Sequence, residues 1–247
     1  HGAEVNKDFE SGYLPFIESC LLGDMKMFHS LLKHGADVNK KGLNYHNFMT
    51  TPLIIACEKQ NIGMVKCLLK HGANPNEEGA DAQDRKASPL LIACQNGNES
   101  IVRLLIQHGA DINREIKNGD MVMTPLLVSC EEKKNINIMK YLIKQGADVN
   151  KEGMNQYGDI ITPLSVACEN RNEEAIYTLI NCAANISIKK DIQKDNITLP
   201  LINACIRKNN KIIRRLVELG ADVNEEGIEY KSYDNYRRSK FITTPLL

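Results

Sequence analysis

The chain has 247 residues, 43% of them apolar and 25% charged, and its 31 basic side chains balance 31 acidic ones. That is the composition of a soluble protein with ample material for a core, and zero net charge gives no general attraction to nucleic acid or an acidic membrane. No apolar run approaches the ~18 residues that span a bilayer, there is no signal peptide, and a start at His1 without Met reads as a fragment.

Taken in chain order, the sequence repeats itself. "LPFIESC" at 14 is followed by "TPLIIAC" at 51, "SPLLIAC" at 88, "TPLLVSC" at 124, "TPLSVAC" at 162 and "LPLINAC" at 199. The prolines are separated by 37, 37, 36, 38 and 37 residues, and Pro245 follows after 45. Each motif predicts a short helix, with Thr or Ser as N-cap and Pro at the first helical position, where its missing N–H is not needed. A second helix opens nine residues after the Pro at Asn61, Asn98, Asn172 and Asn209, and the fourth unit carries one extra residue. Its apolar residues form a stripe such as Met64, Val65, Leu68 and Leu69. Glycine in "HGAD" at 34, "HGAN" at 71, "HGAD" at 108, "QGAD" at 145 and "LGAD" at 219 stops that helix; "AAN" at 183 fills the slot without glycine.

The order T-P-L-x-x-A, helix, turn, helix, G-A-D-V-N resembles the ankyrin repeat over essentially the whole chain. The resemblance implies a mainly α solenoid, in which antiparallel helix pairs stack and β-hairpin fingers project from them. It is read as one array over 1–247, with full repeats at about 14–50, 51–87, 88–123, 124–161, 162–198 and 199–243, and truncated units at 1–13 and 244–247. Three departures stand out. Where the family has His two residues after the Pro, this chain has Ile17, Ile54, Leu91, Leu127, Ser165 and Ile202, so apolar packing is expected in place of imidazole hydrogen bonds. Glycine survives in the inter-helix turn only as Gly23 and Gly97. The units exceed the family's ~33 residues, and the excess lies in the fingers. About two extra residues per strand would add ~7 Å of reach.

Cys20, Cys57, Cys94, Cys130, Cys168 and Cys205 share one position, five residues after the Pro. Stacked helices lie roughly 8–10 Å apart, too far for a disulfide or for a shared zinc ion. These thiols are expected to pack, and no metal or cofactor is expected. So many free thiols point to a reducing, cytoplasmic setting. His34, His71 and His108 are expected to engage the exposed carbonyls that end the second helices. No phosphate-binding loop, dinucleotide fingerprint, zinc-protease motif or nucleophile elbow occurs, so no enzyme is expected.

The resemblance implies a protein-binding module whose concave face uses finger tips and the ends of the first helices. The helical contacts then fall on Leu21 and Leu22, on Glu58 and Lys59, on Gln95 and Asn96, on Glu131 and Glu132, on Glu169 and Asn170, and on Ile206 and Arg207. The fingers add Tyr45, Phe48 and Met49, then Tyr157, and in the last finger Tyr230, Tyr233, Tyr236, Arg237, Arg238 and Phe241, residue types that interfaces favour. The spacing of the three tyrosines excludes one face of a single strand. A tip loop or helical turn would bring them together, whereas a long hairpin would use them to cover its own arms. At the finger bases, Lys40/Lys41 and Glu77/Glu78 are placed to pair across the row. The expected function is a scaffold or adaptor module that holds another protein. Head-to-tail self-association into a filament, and a regulatory array of a larger effector, are the competing readings. Neither nucleic-acid binding nor membrane insertion is expected.

Overall fold

The computed structural model describes residues 5–7, 14–186 and 199–224, together with the backbone of strands at 227–234 and 237–243. Two compact units divide the chain, His1–Asn118 and Gly119–Leu247.

The first unit holds three helix pairs: α1 (Pro15–Leu22) with α2 (Met25–Lys33), α3 (Pro52–Glu58) with α4 (Ile62–Lys70), and α5 (Pro89–Asn96) with α6 (Glu99–Gln107). Hairpins β1 (Gly42–Leu43) with β2 (Met49–Thr50) and β3 (Gly79–Ala80) with β4 (Lys86–Ala87) form two fingers, and β5 spans Ile116–Asn118. In the second unit α7 (Pro125–Glu131) pairs with α8 (Ile136–Lys144), α9 (Pro163–Glu169) with α10 (Glu173–Asn181), and α11 (Pro200–Ile206) with α12 (Asn210–Glu218). Its strands are β6 (Met121–Met123), β7 (Gly153–Met154), β8 (Ile160–Ile161), β9 (Gly227–Asp234) and β10 (Arg237–Thr243). Among the described residues, no helix is long and apolar enough to cross a membrane.

Local chemistry explains the helix starts. Thr51, Ser88, Thr124 and Thr162 accept hydrogen bonds at 3.2–3.3 Å from the backbone N–H three residues on. The family's His slot is apolar and buried at Ile17, Ile54, Leu91, Leu127 and Ile202, as expected. Only Ser165 restores a reciprocal bond, with its Oγ accepting from Thr162 N at 2.9 Å. Asn61, Asn98, Asn172 and Asn209 cap the second helices through their side-chain oxygens, and Asp24 does so in the first repeat. The extra residue of the fourth repeat is absorbed by a 3-10 turn at Lys133–Asn135.

The helix stops are equally regular. His34, His71 and His108 Nδ1 lie 2.7, 2.8 and 2.9 Å from the carbonyls of Ser30, Cys67 and Leu104. The next residue is left-handed, with Gly35 at φ 85° and Gly146 at 96°, and Ala183 adopts φ 60° in the same slot. The inter-helix turn is left-handed too, with Gly23 and Gly97 at φ 70° and 72° but Gln60, Arg171 and Lys208 at 52–54°.

Neighbouring repeats are stitched by asparagine. Asn39 donates to Gly72 O (3.0 Å) and accepts from Asn74 N (2.7 Å). Asn76 repeats this with Gly109 O (2.8 Å) and Asp111 N (2.7 Å), and Asn150 accepts from Asn185 N at 2.7 Å. Cys20, Cys57, Cys94, Cys130 and Cys168 are buried and form no disulfide, and Cys205 is partly buried. Burial pushes the Cys20 and Cys168 thiols up to about 12 and raises Cys57 and Cys130 as well. The thiol column packs, as the spacing argument requires.

The fingers depart from expectation. In the first, second and fourth, each strand has only two residues, so the added length sits in the tip rather than in extra strand pairs. A side chain ends each ladder. Asn44 Oδ1 accepts from His46 N and Phe48 N, Asp81 Oδ1 from Gln83 N and Arg85 N, and Asn155 Oδ1 from Tyr157 N and Asp159 N, all at 2.9–3.0 Å. A left-handed residue follows in each tip: Asn47, Asp84 or Gly158. This is a type I turn closed by a bulge. The last finger is lengthened in its strands, where β9 pairs with β10 from Gly227↔Thr243 to Asp234↔Arg237.

Candidate protein-binding surface

In the first unit, the finger tip at Asn44–Phe48 carries Tyr45, 50% exposed, and the adjoining strand carries Met49, 51% exposed. Partial desolvation and the neighbouring Glu18 carboxylate raise the Tyr45 pKa. Glu18 lies one turn before Leu22, which is 61% exposed at the end of α1, while Leu21 is buried. An aromatic, a thioether and an isobutyl group thus stand exposed around one finger and one helix end. Phe48 is half-buried, with its ring 6.2 Å from that of His46.

The rest of the strip in this unit is partly committed. Glu58 Oε1 accepts from Ala82 N at 2.8 Å and ties α3 to the second finger tip. Desolvation, opposed by that bond, keeps Glu58 above the usual carboxylate range. Asn96 donates to Cys57 O at 3.3 Å, binding α5 to α3. Lys59 is exposed and Gln95 half-buried. At the finger bases Lys41 pairs with Glu77 at 2.6 Å, as the charge pattern suggested, and Arg114 pairs with Glu78 at 2.6 Å.

The second unit offers different chemistry. Glu131, Glu132 and Glu169 are exposed at the ends of α7 and α9. Glu131 is exposed by accessible area, yet the helix pair around it removes enough water from its carboxyl to matter. That desolvation, with the charges of Glu132 and Glu169, pushes its pKa up to about 7. Glu132 has Lys134 at 2.7 Å, and Glu169 has Arg207 at 3.6 Å. Asn170 donates to Val166 O at 3.0 Å. Ile206 is 37% exposed and Tyr157, in the fourth finger tip, 42%. Tyr230 and Tyr233 lie in β9, not in a tip loop or helical turn, and Arg237, Arg238 and Phe241 lie in β10. Tyr236, Lys189, Glu225 and Glu226 fall outside the described residues, as do the side chains of the last finger.

Two sets of residues escaped the sequence reading. The tip-closing Asn44, Asp81 and Asn155 were signalled by "NYHN", "DAQD" and "NQYG" in one register. Gly42, Gly79 and Gly153, ten residues before the next Pro, sit where another chain segment crosses close by. A Cβ on Gly79 would lie 3.0 Å from Thr50 Cα, and one on Gly153 would run into Val122 O and Leu127 Cδ1. Among the described residues, no group of three or more His, Cys, Asp or Glu is placed to hold a metal ion.

A family model described as ankyrin repeats, in three copies, matches residues 1–79, 19–116 and 78–153. The chain belongs to the ankyrin repeat family. A search of curated protein sequences found no match. Among solved structures, the human ASB11 ankyrin repeat domain superposes with a TM-score of 0.64 at 23% identity, over 87% of each chain. That similarity concerns the fold. Ankyrin repeats are in general protein–protein interaction modules.

Proposed function

We propose that this ankyrin-repeat chain is an adaptor module that holds a partner protein through finger tips and first-helix ends. The observation that carries the reading is the exposure of Leu22, Tyr45 and Met49 around one finger of the first unit. Isolated exposed apolar residues need no explanation, but three of them on one finger and its helix end have the composition of an interface centre. The second unit contributes carboxylates at Glu131, Glu132 and Glu169 and an apolar contact at Ile206. The module is non-catalytic and works in a reducing, cytoplasmic setting, the latter supported by eight cysteines, none of them in a disulfide.

The test is a peptide-display selection on the full chain, with counter-selection on a variant carrying Leu22→Ser, Tyr45→Ser and Met49→Ser. Peptides that bind the parent and lose about tenfold or more in affinity on the variant support this surface. Peptides that bind both equally place the contact elsewhere and overturn the reading.

A further inference from the structure

The second unit carries a groove on its second helices. It lies between the outer helices α10 and α12, has a volume of about 430 Å³, and is lined by Tyr177, Asn210, Lys211, Arg214, Arg215 and Glu218. The apolar stripe of α12 faces away from it, with Ile212 and Leu216 fully buried. Its cations are loosely neutralised. Lys211 Nζ is 3.6 Å from Glu173 and Arg215 Nη1 is 3.4 Å from Glu218, against 2.6 Å for the Lys140–Glu174 pair on the same side. Arg214 is exposed and has no acidic partner among the described residues. Lys211 stands 5.3 Å over the Tyr177 ring, so an aromatic platform borders the charge.

We propose that this groove is a second docking site, which takes a short acidic segment of a partner protein. Guanidinium groups match carboxylates in fork geometry; Arg214 offers one without an acidic partner among the described residues, Arg215 a second that Glu218 holds only weakly, and Tyr177 supplies a flat apolar wall. Three lining cations face two nearby carboxylates, Glu173 and Glu218, so the excess is local and modest. The chain as a whole is electrically balanced, and it lacks the extended positive field that nucleic acid or a membrane surface would meet. A few Asp or Glu residues on a peptide fit both the size and the charge. The groove shares no residue with the finger surface.

The experiment measures fluorescence anisotropy of a short fluorescein-labelled Asp/Glu peptide titrated with the full chain, beside an Asn/Gln peptide of equal length and a single-stranded oligonucleotide. Binding is expected for the acidic peptide alone and should weaken as salt rises. Arg214→Glu with Arg215→Glu should weaken it about tenfold or more, Arg214→Lys with Arg215→Lys should keep part of it, and the Leu22/Tyr45/Met49 variant should leave it unchanged. Circular dichroism confirms that the charge-reversed variant is folded. Equal binding of the neutral peptide, or indifference to charge reversal, overturns the proposal. Preference for the oligonucleotide overturns it in favour of nucleic acid. Light scattering showing a mass that grows with concentration, and that charge reversal abolishes, overturns it in favour of a second copy.

Discussion

Arg114 reaches Glu78 through two nitrogens, Nε at 3.0 Å and Nη2 at 2.6 Å from the same carboxylate oxygen, while Lys86 Nζ takes the other oxygen at 2.5 Å. Burial opposes the charge on Glu78, but the hydrogen bonds and charges of Lys86 and Arg114 outweigh it and hold the carboxyl below its usual range. A depressed carboxylate pKa supplies stability that is present above the unfolded value and disappears as pH falls through the folded one. Glu78→Gln should cost about 1–2 kcal/mol at neutral pH, the partial exposure of Arg114 trimming the usual worth of charged hydrogen bonds. The cost should shrink in acid. Urea melts at pH 7 and pH 3 measure it, and an equal cost at both would exclude this linkage.

Glu131 has the opposite sign. With its folded pKa raised from 4.5 to about 7, the folded chain binds more protons than the unfolded chain between those values. Stability therefore falls as pH rises through that window. Glu131→Gln should stabilise the chain above pH 7 and have little effect near pH 5; solvent screening at this exposed site keeps the gain below about 1 kcal/mol. Thermal melts across that range should converge on the acid side.

At the helix ends, four non-glycine residues occupy left-handed positions where other repeats place glycine: Gln60, Ala183, Arg171 and Lys208. Each pays for a Cβ crowded against its own backbone. Ala183→Gly and Lys208→Gly should each raise stability by up to about 1 kcal/mol, the relief of strain exceeding the added freedom of the unfolded chain. Loss of stability in denaturant melts would show that the alanine and lysine contacts outweigh the strain.

Gly153 has no room for a methyl group between Val122 O and Leu127 Cδ1. Gly153→Ala should destabilise the second unit by about 1–3 kcal/mol through forced displacement. Gly158→Ala, whose Cβ would meet open space but whose φ is 79°, should cost about 1–2 kcal/mol through backbone strain alone.

The thiols should divide by burial. Cys182 is exposed and Cys67 partly so, and both should react with a thiol reagent in the native chain. Cys20, Cys57, Cys94, Cys130 and Cys168 are buried and should react only on unfolding; at Cys20, Cys57, Cys130 and Cys168 burial also disfavours the reactive thiolate. Mass spectrometry of alkylated peptides, with and without denaturant, separates the two groups.

The helix pairs were legible because each is written locally. Thr or Ser before Pro, Asn nine residues after it, and His-Gly at the end specify start and stop within a few residues of chain, and those signals recur in one register. The fingers were less legible. Their added length pointed to longer strands, but Asn44, Asp81 and Asn155 turn the chain through side-chain bonds to the backbone, which residue counting does not reveal. The roles of Glu58 and Asn96 were hidden for another reason. Both occupy the expected contact strip, yet their partners, Ala82 and Cys57, are 24 and 39 residues away in sequence and are brought close only by stacking. The separate groove at Tyr177 and Arg214 joins side chains from different repeats, and no motif within one repeat marks it.

The asparagine stitches have a direction. In each, the earlier repeat lends its side chain to the loop that ends the later one: Asn39 completes the turn at Gly72 and Asn74, and Asn76 completes the turn at Gly109 and Asp111. A repeat emerging from the ribosome therefore meets a neighbour already carrying the groups its own loop lacks. The order of synthesis is also the order in which these bonds are satisfied.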